Sequence, residues 1–226
     1  MTGAAAGRAN ARAAAIARRL VTARWRVTMA GEHHLPAGGP VIVAGNHSGW
    51  LDGPLMAIMS PRPLQAMTKI EMFRGPMARF LALAGQIPLD RHHVDRAAIR
   101  YATAVLADGG VVGIFPEGTR GDGEMRYARG GAAYLALVTG APVVPLAFLG
   151  TRLPGGANSL LPPRGGRIHL EYGAPITIEP VAWPRTRARV AAETERIRVT
   201  LRDLVHTSAA ATGIALPGPL RNLEEN

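Results

Sequence analysis

Short runs of uniformly apolar residues alternate along this chain with stretches whose apolar positions recur every three or four residues. Val41–Ala44, Val111–Phe115 and Val143–Phe148 are apolar throughout, the pattern of strands buried on both faces. Leu64–Lys69 and Ile168–Tyr172 read as further strands, and Ile87-Pro88-Leu89 as a short extended piece. Between them lie helical patterns. Residues 96–108 carry the stripe Ile99, Ala102, Val105 and Leu106, and Gly109-Gly110 ends it. Residues 130–139 are expected to face inward through Tyr134, Leu137 and Val138, and residues 76–84 through Met77, Phe80, Leu81 and Ala84. A last helix spans roughly 185–206, with Val190, Thr194, Ile197, Leu201 and Leu204 along its seam. Strands alternating with helices predict an α/β fold, with a largely parallel central sheet flanked by helices.

The ends of the chain read differently. Residues 4–27 are rich in alanine and arginine, both good helix formers. Ile16 and Leu20, then Val21 and Trp25, lie one turn apart, with Arg8, Arg12, Arg19 and Arg26 on another face. This predicts an N-terminal amphipathic helix, suited either to an anionic membrane surface or to packing on the domain. The expected division is residues 1–30 for that helix, 31–207 for the main domain, and 208–226 for a poorly ordered tail. Residues 151–166 are Pro/Gly-rich and read as a mobile surface loop. The uncharged stretch from Gly130 to Thr151 could span a bilayer by length alone. Gly140-Ala141-Pro142 and Pro145 interrupt it, so a helix followed by a strand is expected, and no spanning helix. Arg18-Arg19 is not followed by the apolar core of a secretory signal.

Charge narrows the partners. The 226 residues carry a formal charge of +10, and every basic residue except Lys69 is arginine. That balance favours a polyanion: nucleic acid, anionic lipid or a phosphorylated substrate. No recognition-helix pattern, finger spacing or aromatic-rich basic stretch accompanies it, so no nucleic acid is expected. Cysteine is absent, which excludes disulfides, thiolate metal sites and an acyl-cysteine intermediate. His33-His34 and His92-His93 lack carboxylate or further histidine partners at ligand spacing, so no metal is expected.

One stretch carries chemistry. His47-Ser48-Gly49-Trp50-Leu51-Asp52 follows the apolar run Val41–Ala44, and Pro54 opens the next helix. A histidine on the loop after a buried strand can accept a proton near neutral pH. A carboxylate on its other ring nitrogen would fix the tautomer and stabilise the imidazolium. His47, Lys69, Arg91, Glu117 and Arg120 all fall at or just beyond strand C-terminal ends, where reactive loops of parallel sheets gather.

Four ordered blocks complete the picture: Asn46-His47 with Asp52; Gly85-Gln86-Ile87-Pro88-Leu89-Asp90-Arg91, preceded by Lys69-Ile70-Glu71-Met72-Phe73; Phe115-Pro116-Glu117-Gly118-Thr119-Arg120; and Val144-Pro145-Leu146-Ala147. Together they resemble the lysophosphatidic-acid (acylglycerol-phosphate) acyltransferases of glycerolipid synthesis, over about residues 40–150. The resemblance implies transfer of a fatty acyl group from acyl-CoA or acyl-carrier protein to the free hydroxyl of lysophosphatidic acid. It implies no cofactor beyond that donor substrate. It places the protein peripherally at the cytoplasmic face of an anionic membrane. In this reading His47 is the general base and Asp52 its orienter. Lys69, Arg91, Glu117, Gly118, Thr119 and Arg120 form the phosphate-binding set, and Val144, Pro145 and Leu146 the acyl pocket. Backbone amides around Gly118 or near His47 would hold the oxyanion. Gly121 departs from the hydroxyl residue that often follows the third block. The same chemistry on another lysophospholipid, glycerol phosphate or a glycolipid stays open, as do a thioester hydrolase and a non-catalytic lipid-binding protein.

Overall fold

A computed structural model describes residues 15–75, 78, 81–82, 85–90, 95–157 and 159–219. Among these, seven strands form one sheet: β1 (Arg26–Ala30), β2 (Val41–Gly45), β3 (Leu64–Lys69), β4 (Ile87–Leu89), β5 (Val111–Ile114), β6 (Val143–Leu149) and β7 (Arg167–Tyr172). Their order is β1-β7-β6-β2-β5-β3-β4. β2, β3, β4, β5 and β6 run parallel, whereas β7 is antiparallel to β6 and β1 is parallel to β7. The largely parallel α/β sheet expected from the apolar runs is therefore present. β4 lies at the sheet edge, where Pro88 costs no ladder bond on its outer side.

Helices cover both faces, which is why the central strands are apolar without alternation. They are α1 (residues 15–24), α2 (Asp52–Met59), α3 (Arg96–Ala107), α4 (Gly131–Thr139) and α5 (Arg187–Thr212). Val41 and Val43 point to one side and pack with Leu55 and Met56 of α2 and with Val21 and Trp25. Ile42 and Ala44 point to the other, against α3, α4 and Ile197 of α5. Asp95 caps α3 by accepting the Ala98 N–H at 2.9 Å. α4 turns a small-residue face inward, Ala132, Ala133 and Ala136 with Leu135 and Leu137, while Tyr134 and Val138 are only half-buried. Small side chains let α4 sit close to the sheet, so its inward face is broader than the expected stripe.

Three terminal expectations change. The N-terminal helix ends at residue 24, and Arg26–Ala30 is the edge strand β1 rather than part of a helical appendage. Val27 and Met29 are its only large apolar residues, too few for a period-two signal after an Ala/Arg-rich run. Val21 and Trp25 belong to the core, and the Trp25 indole donates to the Pro162 carbonyl at 3.0 Å. At the other end, α5 continues to Thr212 rather than stopping near 206. Its extra turn buries Ser208, and Ile214 and Leu216 then pack on Leu201 and Val205. The segment to Pro219 is thus part of the fold, not a loose tail. The expected helix 76–84 lies mostly outside the described residues, as do residues 1–14 and His92-His93.

Candidate active site

Adjacent strands β2 and β5 supply the two loops of the site. Ala44 pairs with Ile114 at their C-terminal ends, and His47 and Glu117 each stand three residues further on. Asn46 keeps the β2 loop in the plane of the sheet. Its side chain donates to the Phe148 carbonyl at 3.1 Å and accepts the Phe148 N–H at 2.7 Å, standing in for the next backbone pair of β2 and β6.

The His47 ring stacks on Phe115, centroids 4.3 Å apart. Its Nδ1 lies 2.9 Å from Oδ2 of Asp52. Asp52 is fully buried at the first turn of α2, where the helix N-terminus favours a negative charge. The N–H groups of Ser48 and Gly49 donate to the same Oδ2 at 2.6 and 2.7 Å. Three donors on one oxygen fix the carboxylate, and the carboxylate fixes the ring tautomer, with Nδ1 as donor. Nε2 then carries the lone pair. It has no partner among the described residues, and the side chain is 20% exposed.

The second loop grips the first by its main chain. Oε1 of Glu117 accepts the His47 N–H at 2.7 Å, and the His47 carbonyl accepts the Gly121 N–H at 2.7 Å. Burial pushes the Glu117 carboxyl up to about 7; the His47 amide pulls it down, while the charges of Asp122 and Asp52 push it up. A Cβ at Gly121 would land on the Glu117 carboxylate, so the loop as folded has no room for a side chain at this position. Gly118 takes a left-handed φ of 68°, and Arg129 packs where its side chain would be. Asp122 lies below its ordinary value: burial opposes this, but the Arg126 guanidinium, 2.6 Å away, prevails. An open depression of about 200 Å³ beside these loops is lined by Glu117, Gly121, Asp122, Arg126, Tyr127 and Pro219.

The other expected residues separate into those at the same sheet edge and those inside the core. Lys69 ends β3, three residues past Ala66, which pairs with Gly113. It projects at nearly the height of His47, two strand spacings or about 10 Å along the edge. Gly118 and Arg120 are half-buried on the β5 loop and Thr119 is exposed. Glu117 stands on the same β5 loop, with one carboxylate oxygen occupied by the His47 amide. Val144 and Leu146 fill the core beside Val43 and Met56, and Pro145 is buried in β6. They form packed sheet, not the wall of an acyl cavity. Arg91 lies outside the described residues. No group of three or more His, Asp or Glu that could hold a metal occurs among the described residues.

Five of the amides around Gly118 and near His47 are already engaged. His47, Ser48 and Gly49 donate to carboxylates, Gly118 donates to the Phe115 carbonyl at 3.0 Å, and Gly121 to that of His47. Ser48 is buried, with its hydroxyl 3.3 Å from that of Thr151. Asn46 and the buried Arg152 are neighbours of these loops whose contacts the sequence did not reveal. Asn46 stood inside a block as a strand terminator, and Arg152 had no signal at all in a Pro/Gly-rich stretch.

The chain matches the model of the Acyltransferase family over residues 26–149. The chain belongs to the acyltransferase family. It is 29% identical over 187 residues to a 1-acyl-sn-glycerol-3-phosphate acyltransferase of Bacillus subtilis (strain 168), covering 82% of this chain and 91% of that protein. It is 32% identical over 127 residues to 1-acyl-sn-glycerol-3-phosphate acyltransferase alpha of Homo sapiens, covering 54% of this chain and 44% of the human one. The crystal structure of the 1-acyl-sn-glycerophosphate (LPA) acyltransferase PlsC from Thermotoga maritima shares the fold, with a TM-score of 0.64 at 23% identity over 81% of this chain and 72% of that one. The family region of this acyltransferase begins at Arg26, the first residue of β1. This agrees with the edge strand being part of the domain. No helix among the described residues is long and apolar enough to cross a membrane.

Proposed function

We propose that this acyltransferase moves a fatty acyl group from an acyl thioester, acyl-CoA or acyl-carrier protein, to the free hydroxyl of lysophosphatidic acid, giving phosphatidic acid. The observation that carries the reading is the His47–Asp52 pair, with Nδ1 on the carboxylate and Nε2 left for substrate. The acceptor hydroxyl is a poor nucleophile until a base takes its proton. Nε2 of His47 removes that proton as the oxygen attacks the thioester carbon, and Asp52 stabilises the imidazolium formed. The tetrahedral intermediate collapses with cleavage of the C–S bond. The departing thiolate takes the proton back from His47, so base and carboxylate return to their starting state. No cofactor enters this cycle. With the loop amides of His47, Ser48, Gly49, Gly118 and Gly121 committed, oxyanion stabilisation falls to other groups at the sheet edge.

Lys69 and Arg120 support a phosphorylated acceptor, because they stand at the same edge as the base and offer charge-assisted hydrogen bonds. The lipid acceptor also places the reaction at a bilayer surface. Exposed Ile16 and Leu20 on α1, a +10 charge and no spanning helix among the described residues suit peripheral docking on anionic lipid, at the cytoplasmic face.

The test is release of free thiol from a long-chain acyl-CoA with and without lysophosphatidic acid, for wild type and His47→Ala. Acceptor-dependent release that His47→Ala abolishes is the expected result. Acceptor-independent release would make the protein a thioester hydrolase. No release with this acceptor, but release with another lysophospholipid, glycerol phosphate or a glycolipid, would replace the acceptor in the proposal.

A further inference from the structure

Arg152 is the largest side chain that the fold buries completely, and it makes no ion pair among the described residues. Its two terminal nitrogens donate to main-chain carbonyls, while Nε is buried without a partner among the described residues. Nη2 donates to Gly121 at 3.0 Å and to Gly218 at 2.6 Å, and Nη1 to Gly156 at 3.3 Å. Burying a cation without a carboxylate partner is costly, so the site must return something for it. Asp122 and Asp52 supply part of the compensation through their field.

Each carbonyl leads somewhere. Gly121 is the residue whose N–H holds the His47 carbonyl and whose missing Cβ makes room for Glu117, which holds the His47 N–H. Gly218 belongs to the segment after α5. That segment is tied down by the Gly218 N–H to the Asp122 carbonyl at 3.2 Å and by the Gly155 N–H to the Pro217 carbonyl at 3.1 Å. Pro217 and Leu216 pack over Gly123, and Pro219 walls the depression beside Glu117. One planar fork therefore spans two segments about a hundred residues apart in sequence, and one of them holds the main chain of His47.

We infer that Arg152 is a positioning residue that couples the C-terminal segment 213–219 to the main chain of His47 by way of Gly121. The inference rests on His47 being the base. Without the fork, the loop after β5 loses one of its anchors, and Nε2 samples positions off the line of proton transfer. Small displacements of a catalytic group cost rate more than binding. Lysine cannot replace the fork, because an ammonium is a point donor on a flexible stem.

The experiment compares full-length wild type with Arg152→Met, Arg152→Lys, a truncation after Gly213, and Arg152→Met in the truncated chain. Expected is a kcat loss of about 10- to 100-fold in each single variant, with the acceptor KM changed less than about threefold. Lysine should recover little. The double variant should fall no further than the worse single one, since both cut the same connection. Hydrogen exchange over residues 117–124 should speed up about tenfold or more in Arg152→Met and in the truncation, with melting still cooperative. Folded variants with wild-type kcat, a loss carried by KM, additive losses, or unchanged exchange at 117–124 would each overturn the proposal. If Arg152→Met does not fold, the truncation decides alone, because it leaves the guanidinium in place. If wild type turns over no lysophosphatidic acid, the proposed function fails separately, and exchange at 117–124 still decides the coupling.

Discussion

Glu117 accepts the backbone N–H of His47 at 2.7 Å, so the most buried acid of the β5 loop acts on the main chain of His47, not on its ring. The ring answers to Asp52 and the backbone to Glu117. Two carboxylates thereby divide orientation and placement between them.

This division predicts a pH-dependent stability that belongs to Glu117. Burial raises its carboxyl from 4.5 to about 7, so the folded state holds the proton more tightly than the unfolded chain does. The stabilisation this gives is complete below pH 4.5 and is lost as pH rises through 7, by at most about 3 kcal/mol. Glu117→Gln keeps an acceptor for the His47 N–H and removes the titration. Denaturation curves between pH 5 and 8 should show wild-type stability falling relative to the variant. Parallel curves would mean the carboxyl titrates at its ordinary value.

Asp52 and His47 should separate in a stability measurement. His47→Ala removes a partly exposed ring and should abolish turnover with little effect on melting. Asp52→Asn keeps the size but turns an acceptor into a partial donor, facing two N–H groups and Nδ1. Its kcat should fall about a thousand- to ten-thousand-fold through the wrong tautomer. Its stability should fall by about 1–3 kcal/mol, because buried donors lose their partner. Urea titrations of the two variants beside their turnover check both halves.

Gly121→Ala tests whether the β5 loop tolerates any side chain at this point. The new methyl group would meet the Glu117 carboxylate, which must then leave its place or force the loop outward. A stability loss of about 1–3 kcal/mol is expected, together with reduced kcat. Retained activity in Gly121→Ala with lost activity in Glu117→Gln would show that charge rather than space matters here.

Asn46→Leu should destabilise although leucine is larger and more apolar. The amide group is what satisfies both the N–H and the carbonyl of Phe148. Their loss leaves two buried backbone groups unpaired, at a cost of about 1–3 kcal/mol each before relaxation. Thermal melts of Asn46→Leu and Asn46→Ala should both be lower than wild type, by similar amounts.

Docking on lipid predicts a role for Ile16 and Leu20, which are exposed on one face of α1. Aspartate at either position should weaken sedimentation with anionic vesicles about tenfold or more, from the 1.5–3 kcal/mol that burial of such a side chain provides. Melting should not change, since neither side chain packs on the core. Unaltered sedimentation would move the contact elsewhere.

How much of this was legible in the sequence depended on burial symmetry. β2, β5 and β6 announced themselves because helices cover both of their faces, leaving no polar position to confuse the pattern. β1 did not, because an edge strand of five residues with two large apolar side chains looks like the end of the helix before it. Ser208 to Pro219 read as a tail because small residues carry little hydrophobic signal, yet smallness is what lets Ser208 sit fully buried, its hydroxyl 2.5 Å from Glu171. The His47–Asp52 pair was visible from five-residue spacing across a strand-to-helix loop. Glu117's partner was not, since a side chain that binds backbone leaves no complementary residue to find. The arginines misled in the same way. Arg18 donates to the carbonyls of Ile58, Met59 and Ser60, and Arg62 to those of Pro36, Gly39 and Gly109. Several cations counted toward a polyanionic partner are clasps on the chain itself.

Asp52 begins a helix as well as the proposed catalytic pair, and the two duties have different fates under mutation and drift. A descendant that abandoned acyl transfer would gain nothing from His47, whose ring is held, among the described residues, by a stack and one hydrogen bond. It would still need the carboxylate to collect the Ser48 and Gly49 amides at the start of α2. Among relatives of this chain, an aspartate kept without its histidine therefore marks a scaffold that has outlived its chemistry, and only the histidine dates the loss.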